Sequence, residues 1–174
     1  MACVAYIVSW GAPAQSDRTG QAENKDPKAI KPKTLMQPEA LAMATKLSEH
    51  IQEADWKLEK HVPVIECPDK VKGDEVFSVK VSLGKQVAHP NTTEHHIRWI
   101  SLFFHPEGEK FTYHVGTYEF NAHGESAKGP NQGPVYTHHE ATATLKINKP
   151  GTLHALALCN IHGLWQSSKE LRIA

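Results

Sequence analysis

Cysteine is scarce in this chain and is not placed to build a framework. Only Cys3, Cys67 and Cys159 occur in 174 residues. They form no C-x-x-C pair, which excludes a four-cysteine zinc or iron knuckle, and their odd number and wide spacing give no disulfide pattern. Such usage points to a reduced, cytoplasmic protein. An excess of either charge is also missing, with nineteen Lys and Arg against nineteen Asp and Glu. A nucleic-acid binder would show a basic surplus or stripe, so no nucleic-acid partner is expected. No apolar run approaches the roughly 20 residues that cross a bilayer as a helix, and no membrane association is expected. There is neither an internal repeat nor a low-complexity tract. The length suits one domain with an appendage, large enough to bury a core without disulfide help.

The N-terminal part reads as that appendage. Ala2 to Trp10 form a short apolar run ending in Gly11-Ala12-Pro13-Ala14. The small-x-small pattern resembles a signal-peptidase site, but the positive leader of a secretory signal is missing. An ordered or loosely ordered extension is therefore preferred; export is the alternative if this run is a signal segment. Gln15 to Lys33 is polar and proline-punctuated, as a linker is. Pro38-Glu39 then suits a helix start, and Leu41, Ala44, Leu47 and Ile51 recur at helical spacing. This predicts a short helix with one apolar face, packed on the main domain or on a partner subunit. The boundaries are residues 1–47 for the extension and 48–174 for the domain.

From Val62 onward the period changes to two. Phe77, Val79, Val81 and Leu83 alternate with Ser78, Lys80 and Ser82, and Ala141, Ala143, Leu145 and Ile147 with Thr142, Thr144 and Lys146. Turn signals separate such runs at Pro68-Asp69, Lys72-Gly73-Asp74, Pro106-Glu107-Gly108, Gly129-Pro130-Asn131 and Asn148-Lys149-Pro150-Gly151. Short alternating strands with regular turns predict an all-β antiparallel sandwich or barrel.

Histidine is the residue in surplus, with twelve copies, and it is the commonest metal ligand. Three stretches concentrate the chemistry: Glu59-Lys60-His61-Val62-Pro63, His89-Pro90-Asn91-Thr92-Thr93-Glu94-His95-His96, and Cys159-Asn160-Ile161-His162-Gly163-Leu164-Trp165. Cys-x-x-His after an apolar strand can bring a thiolate and an imidazole to one ion. A histidine loop with a proline in it can fold back onto the same ion. One thiolate with imidazoles and no clear carboxylate partner selects a borderline-soft metal: zinc, copper or iron. Structural zinc is satisfied by four ligands, whereas five or more candidates stand here, which favours a higher coordination number. A cupredoxin-like copper electron carrier is the alternative, and a structural metal in an interaction module a further one. Blue copper usually takes a weak axial methionine after its second histidine, but Met1, Met36 and Met43 all lie before residue 50.

Together these stretches resemble the superoxide reductases, in their single-iron neelaredoxin form related to desulfoferrodoxin. The resemblance includes Asp55-Trp56-Lys57-Leu58 ahead of Glu59, Val64-Ile65 after Pro63, and Ile97-Arg98-Trp99-Ile100 after His96. It also includes Ala122-His123-Gly124-Glu125-Ser126 and Lys149-Pro150-Gly151-Thr152-Leu153. It runs from about Ser48 to the C-terminus.

The resemblance implies a seven-stranded, immunoglobulin-like β-sandwich with a mononuclear Fe(2+)/Fe(3+) centre at one end. It implies equatorial imidazoles from His61, His89, His95 and His162 and an axial thiolate from Cys159, with His96, His105, His123, His138 and His139 not ligands. The choice of His95 over its neighbour comes from the family motif alone. His50, His114 and His154 are expected to be surface or packing residues. Lys60 is implied to steer superoxide, and Glu59 resembles the family glutamate that can occupy the sixth site of oxidised iron. The implied activity is one-electron reduction of superoxide to hydrogen peroxide, with electrons from rubredoxin or a similar small carrier. Two-iron members carry an additional four-cysteine domain, which Cys3 alone cannot make, so one iron per chain is expected. Single-iron relatives also imply a homo-oligomer, a tetramer or alternatively a dimer.

Overall fold

In the computed structural model, which describes residues 45–174, period-two alternation becomes two sheets sharing one core. Strands β1 (Val64–Glu66), β3 (Val76–Ser82) and β6 (Glu140–Lys146) form one, in the order β1-β3-β6. The other holds β2 (Lys70–Val71), β8 (Gly163–Ile173), β7 (Gly151–Cys159), β4 (Ile97–Pro106) and β5 (Tyr113–Glu119), in the order β2-β8-β7-β4-β5. Every pairing is antiparallel except that of β2 with β8. In β6 the inward residues are Ala141 and Ala143, and in β3 they are Val79 and Val81. Val79, Val81 and Ala143 join Ile100 and Leu102 of β4 and Leu153, Ala155 and Ala157 of β7 in a single apolar cluster. Burial of that surface, at about 25 cal/mol per Å2, is the main force holding the sheets together.

The alternation in β7 has a second consequence. Leu153, Ala155, Ala157 and Cys159 are buried while His154, Leu156 and Leu158 are less so. Cys159 is thus the last core-facing residue of its strand, and its sulfur lies where the core ends. Four residues later the chain returns as β8, with Cys159 opposite Gly163. Gly163 has φ +74° with open space around it, so backbone conformation rather than crowding favours glycine there.

Register brings four chain segments to the same end of the sandwich. The start of β1 lies beside the end of β3 through Val64 and Ser82. The start of β4 lies beside the end of β7 through Ile97 and Cys159. A register shift between Ile97 and Trp99 marks an irregularity at this end, a common place for β-bulges to re-aim side chains.

Two expectations are corrected. The strands number eight among the described residues, not seven; β2 is two residues long, too short for alternation to reveal. No α-helix occurs among the described residues either. Leu47–His50 is a four-residue 3-10 turn with no buried residue, Leu47 is 65% exposed, and Ile51 is extended. The competing interaction is a backbone pairing: Gln52 donates to the Leu164 carbonyl at 2.9 Å and accepts from the Gln166 N–H at 2.9 Å. Those bonds draw the chain out beside β8. The rest of the expected helix, and the extension before it, lie outside the described residues.

Candidate metal centre

Each element at this end contributes a metal-binding atom. His61 precedes β1, His89 and His95 sit on the loop between β3 and β4, and Cys159 ends β7. One nitrogen from each of those three histidines and the Cys159 sulfur lie within 4.8 Å of one another. His162, in the β7–β8 turn, closes the group: its Nδ1 is 3.5 Å from Cys159 Sγ and 3.2 Å from His95 Nε2. The four imidazoles form a closed ring. Centroid separations are 4.8 Å for His61–His89, 4.6 Å for His89–His95, 4.8 Å for His95–His162 and 4.5 Å for His162–His61.

Hydrogen bonds decide which nitrogen faces inward. The Nδ1 of His61 is 2.6 Å from Glu59 Oε1, and the Nδ1 of His89 is 2.6 Å from the Pro90 carbonyl. Both partners are acceptors, so each ring donates Nδ1–H outward and its Nε2 lone pair points into the group. Both Nε2 atoms are buried and lack any hydrogen-bond partner. A buried acceptor without a partner costs roughly 1–3 kcal/mol, and two of them facing one point beside a thiol is an arrangement that a cation satisfies. The outward bonds are of the kind that fix tautomer and ring orientation in metal sites.

The electrostatics agree with that role. Burial holds the imidazoles of His61 and His95 below their ordinary pKa, and takes that of His89 to about 3. The lone pairs are therefore free at neutral pH. Burial pushes the Glu59 carboxyl up, but its bonds from the His61 ring and backbone outweigh this and keep it ionised. The Lys60 ammonium is close enough to contribute to the lowering at both His61 and His95. The walls are uneven: His61, His89 and Cys159 are 5%, 6% and 1% exposed, whereas His162 is open to solvent. A small solute can approach from one side while the opposite side stays dry.

The other histidines are engaged elsewhere. His96 turns its Nδ1 to the Thr92 carbonyl at 2.9 Å and stacks on His123 at 3.7 Å. His123 bonds Asn91 Oδ1 and the Phe120 carbonyl. His139 is buried, 5.7 Å from the His89 ring, and tilts against His138. His50, His105 and His114 bond to Thr45, Thr112 and Thr117, and His154 is half-buried on β7. Gly84 matters to the site: its φ is +73°, and a Cβ there would stand 2.7 Å from the His89 backbone nitrogen. Composition and periodicity did not single out Trp165, which stacks on His61 at 5.0 Å, nor the Pro90 carbonyl.

The desulfoferrodoxin family model matches residues 53–168. Neelaredoxin of Megalodesulfovibrio gigas is 63% identical over 128 residues, which is 74% of this chain and 98% of that protein. The superoxide reductase of Pyrococcus furiosus is 56% identical over 125 residues, 72% of this chain and 98% of its own. Among solved structures, the reduced superoxide reductase (neelaredoxin) of Archaeoglobus fulgidus superposes with a TM-score of 0.66 at 56% identity, covering 70% of this chain and 98% of that one. The copper-carrier alternative gains no support from these relatives, and no methionine follows Met43 to supply an axial ligand.

Proposed function

This chain belongs to the desulfoferrodoxin family and is a superoxide reductase, and we propose that it works through one iron per chain, held by His61, His89, His95, His162 and Cys159. The observation that carries the ligand set is convergence: two buried Nε2 atoms without partners face the same point as His95 and a buried sulfur. When bound, the iron supplies the single electron that, with two protons, turns superoxide into hydrogen peroxide. That electron has to be replaced, so a reductant is needed; we propose rubredoxin or a similar small carrier.

The chain's own residues do the rest. Four neutral imidazoles and one thiolate would leave a bound ferrous ion with net positive charge, so that these residues would form a site that attracts a small anion. Lys60 extends that field. Glu59 holds the His61 ring through Nδ1, and using its carboxylate as an iron ligand would require it to leave that bond. We read the paired sheets as an immunoglobulin-like sandwich, with the domain starting near residue 48. A homo-oligomer, tetramer or dimer, is proposed from the single-iron type. The cytoplasm is proposed because Cys159 would have to stay reduced to hold the metal and is not in a disulfide, with export as the alternative if the apolar N-terminus is a signal segment.

The test is metal analysis of the purified protein together with product stoichiometry. The expected result is one iron per chain, no zinc or copper, and one peroxide per superoxide consumed with added reductant. Half that peroxide yield without any reductant would identify a dismutase and overturn the reading.

Lys60 has its own test. Lys60→Ala should slow the bimolecular reaction with superoxide about tenfold or more, the range of electrostatic focusing, with the iron spectrum nearly unchanged. The native rate should fall with salt as the Debye length shrinks from about 10 Å at 0.1 M to about 3 Å at 1 M. The variant should respond less, and Lys60→Arg should recover part of the rate. Pulse radiolysis across a salt series measures all three; equal rates for the native and alanine proteins would leave Lys60 without a steering role.

A further inference from the structure

His95 is carried by a loop, and one side chain holds that loop on both sides of it. The Asn160 amide Nδ2 donates to the Glu94 carbonyl at 2.8 Å, and its Oδ1 accepts from the His96 N–H at 2.9 Å. The Asn160 backbone N–H also donates to the His96 carbonyl at 3.1 Å. These bonds continue the β4–β7 ladder past its last pair, Ile97 and Cys159, with an amide side chain replacing one strand. The amide orientation is unambiguous, because a carbonyl faces one end and an N–H the other. At 3.9 Å the same Oδ1 also touches the Cys159 sulfur.

We propose that Asn160 is a positioning residue that couples His95 to Cys159, fixing how far and at what angle the imidazole meets the thiolate at one metal ion. The inference rests on the ligand set proposed above. Asparagine suits this task specifically. Aspartate would keep the acceptor but place a second oxygen against the Glu94 carbonyl, and alanine would lose both side-chain bonds. Asn131 provides an internal comparison. It holds the same loop, accepting from the Thr93 N–H at 2.8 Å and donating to the Glu94 carboxylate at 2.7 Å. Neither of those bonds involves a residue of the β7–β8 turn.

The test uses the full iron-loaded chain in native, Asn160→Ala, Asn160→Asp and Asn131→Ala forms. The readouts are the thiolate-to-iron charge-transfer band of the oxidised protein, iron affinity and melting temperature. Loss of a group that orients ligands typically costs 10–100-fold in metal affinity. Asn160→Ala should therefore bind iron about tenfold or more weakly and show a displaced band, and Asn160→Asp should lie between it and the native protein. Asn131→Ala should lower the melting temperature without moving the band. Should Asn160→Ala not fold, Asn160→Asp carries the test on its own, with the same displaced band required. An unmoved band at full iron occupancy in the Asn160 variants overturns the proposal, as does an equal band displacement in Asn131→Ala. If the native protein itself binds iron without such a band, the ligand set falls, and this coupling with it.

Discussion

Cys159→Ser is expected to bleach the oxidised protein and to remove most of its activity. In the proposed ligand set the thiolate is the one soft, anionic donor, and its transfer of charge to ferric iron would be the source of colour. Serine keeps the shape but presents a hydroxyl that stays protonated at neutral pH and donates far less electron density. The fold should survive. Cys159 is 1% exposed at the end of β7, and burying a hydroxyl there costs about 1–3 kcal/mol, within the stability of a typical domain. The fall in activity should exceed the roughly 10–100-fold typical of losing an outer-layer partner, because Cys159 is proposed as a direct ligand. Visible absorption of the ferric protein and a stopped-flow rate measure both effects. A variant with its colour intact would show that the sulfur is not bound to the metal.

The second large effect is expected at His89. His89→Ala removes a nearly buried ring whose Nε2 has no partner within the protein, and iron occupancy after purification should drop sharply. Alanine at His61, His95 or His162 should act in the same direction. His96→Ala is the control: that ring bonds the Thr92 carbonyl and stacks on His123, so it should retain iron. Loss of iron in the His96 variant but not in His95→Ala would reverse the choice between the two neighbours. Acid should act on the same residue. The His89 pKa falls from 6.5 to about 3 on folding, so between those values the unfolded chain binds a proton that the folded chain does not. The metal-free fold should therefore lose stability as pH drops through that window, visible as a falling urea midpoint. A midpoint that is flat from pH 6.5 to 4 would contradict it.

Much of the scaffold was legible because alternation reports burial directly. In β3 and β6 the residues picked out by period two are the ones that face the core, and the turn signals fall at or between strand ends. The helix expected through Ile51 was not legible, because a weak local pattern lost to two backbone bonds from Gln52 to β8. Residues 89–96 show the limit most sharply. His95 and His96 are chemically identical neighbours, and nothing local separates them. In the structure one ring enters the group and the other leaves it, because His96 is pinned by Thr92, Asn160 and His123. Two of those partners lie far along the chain, and only the fold brings them near.

The ring of imidazoles also changes what kind of object a bound ion would be. Its members come from segments that begin before β1 and end after β7, nearly the full span of the domain. An ion gripping all of them would tie that span into closed loops, much as a covalent staple does, and would lower the entropy of the unfolded chain. Binding free energy then becomes folding free energy. The segment between β3 and β4, which carries two of the rings but no strand pairing of its own over residues 83–96, has the most to gain. Its amide hydrogens should exchange with solvent through local openings that the ion suppresses, so this end of the sandwich would be the most responsive to a chelator.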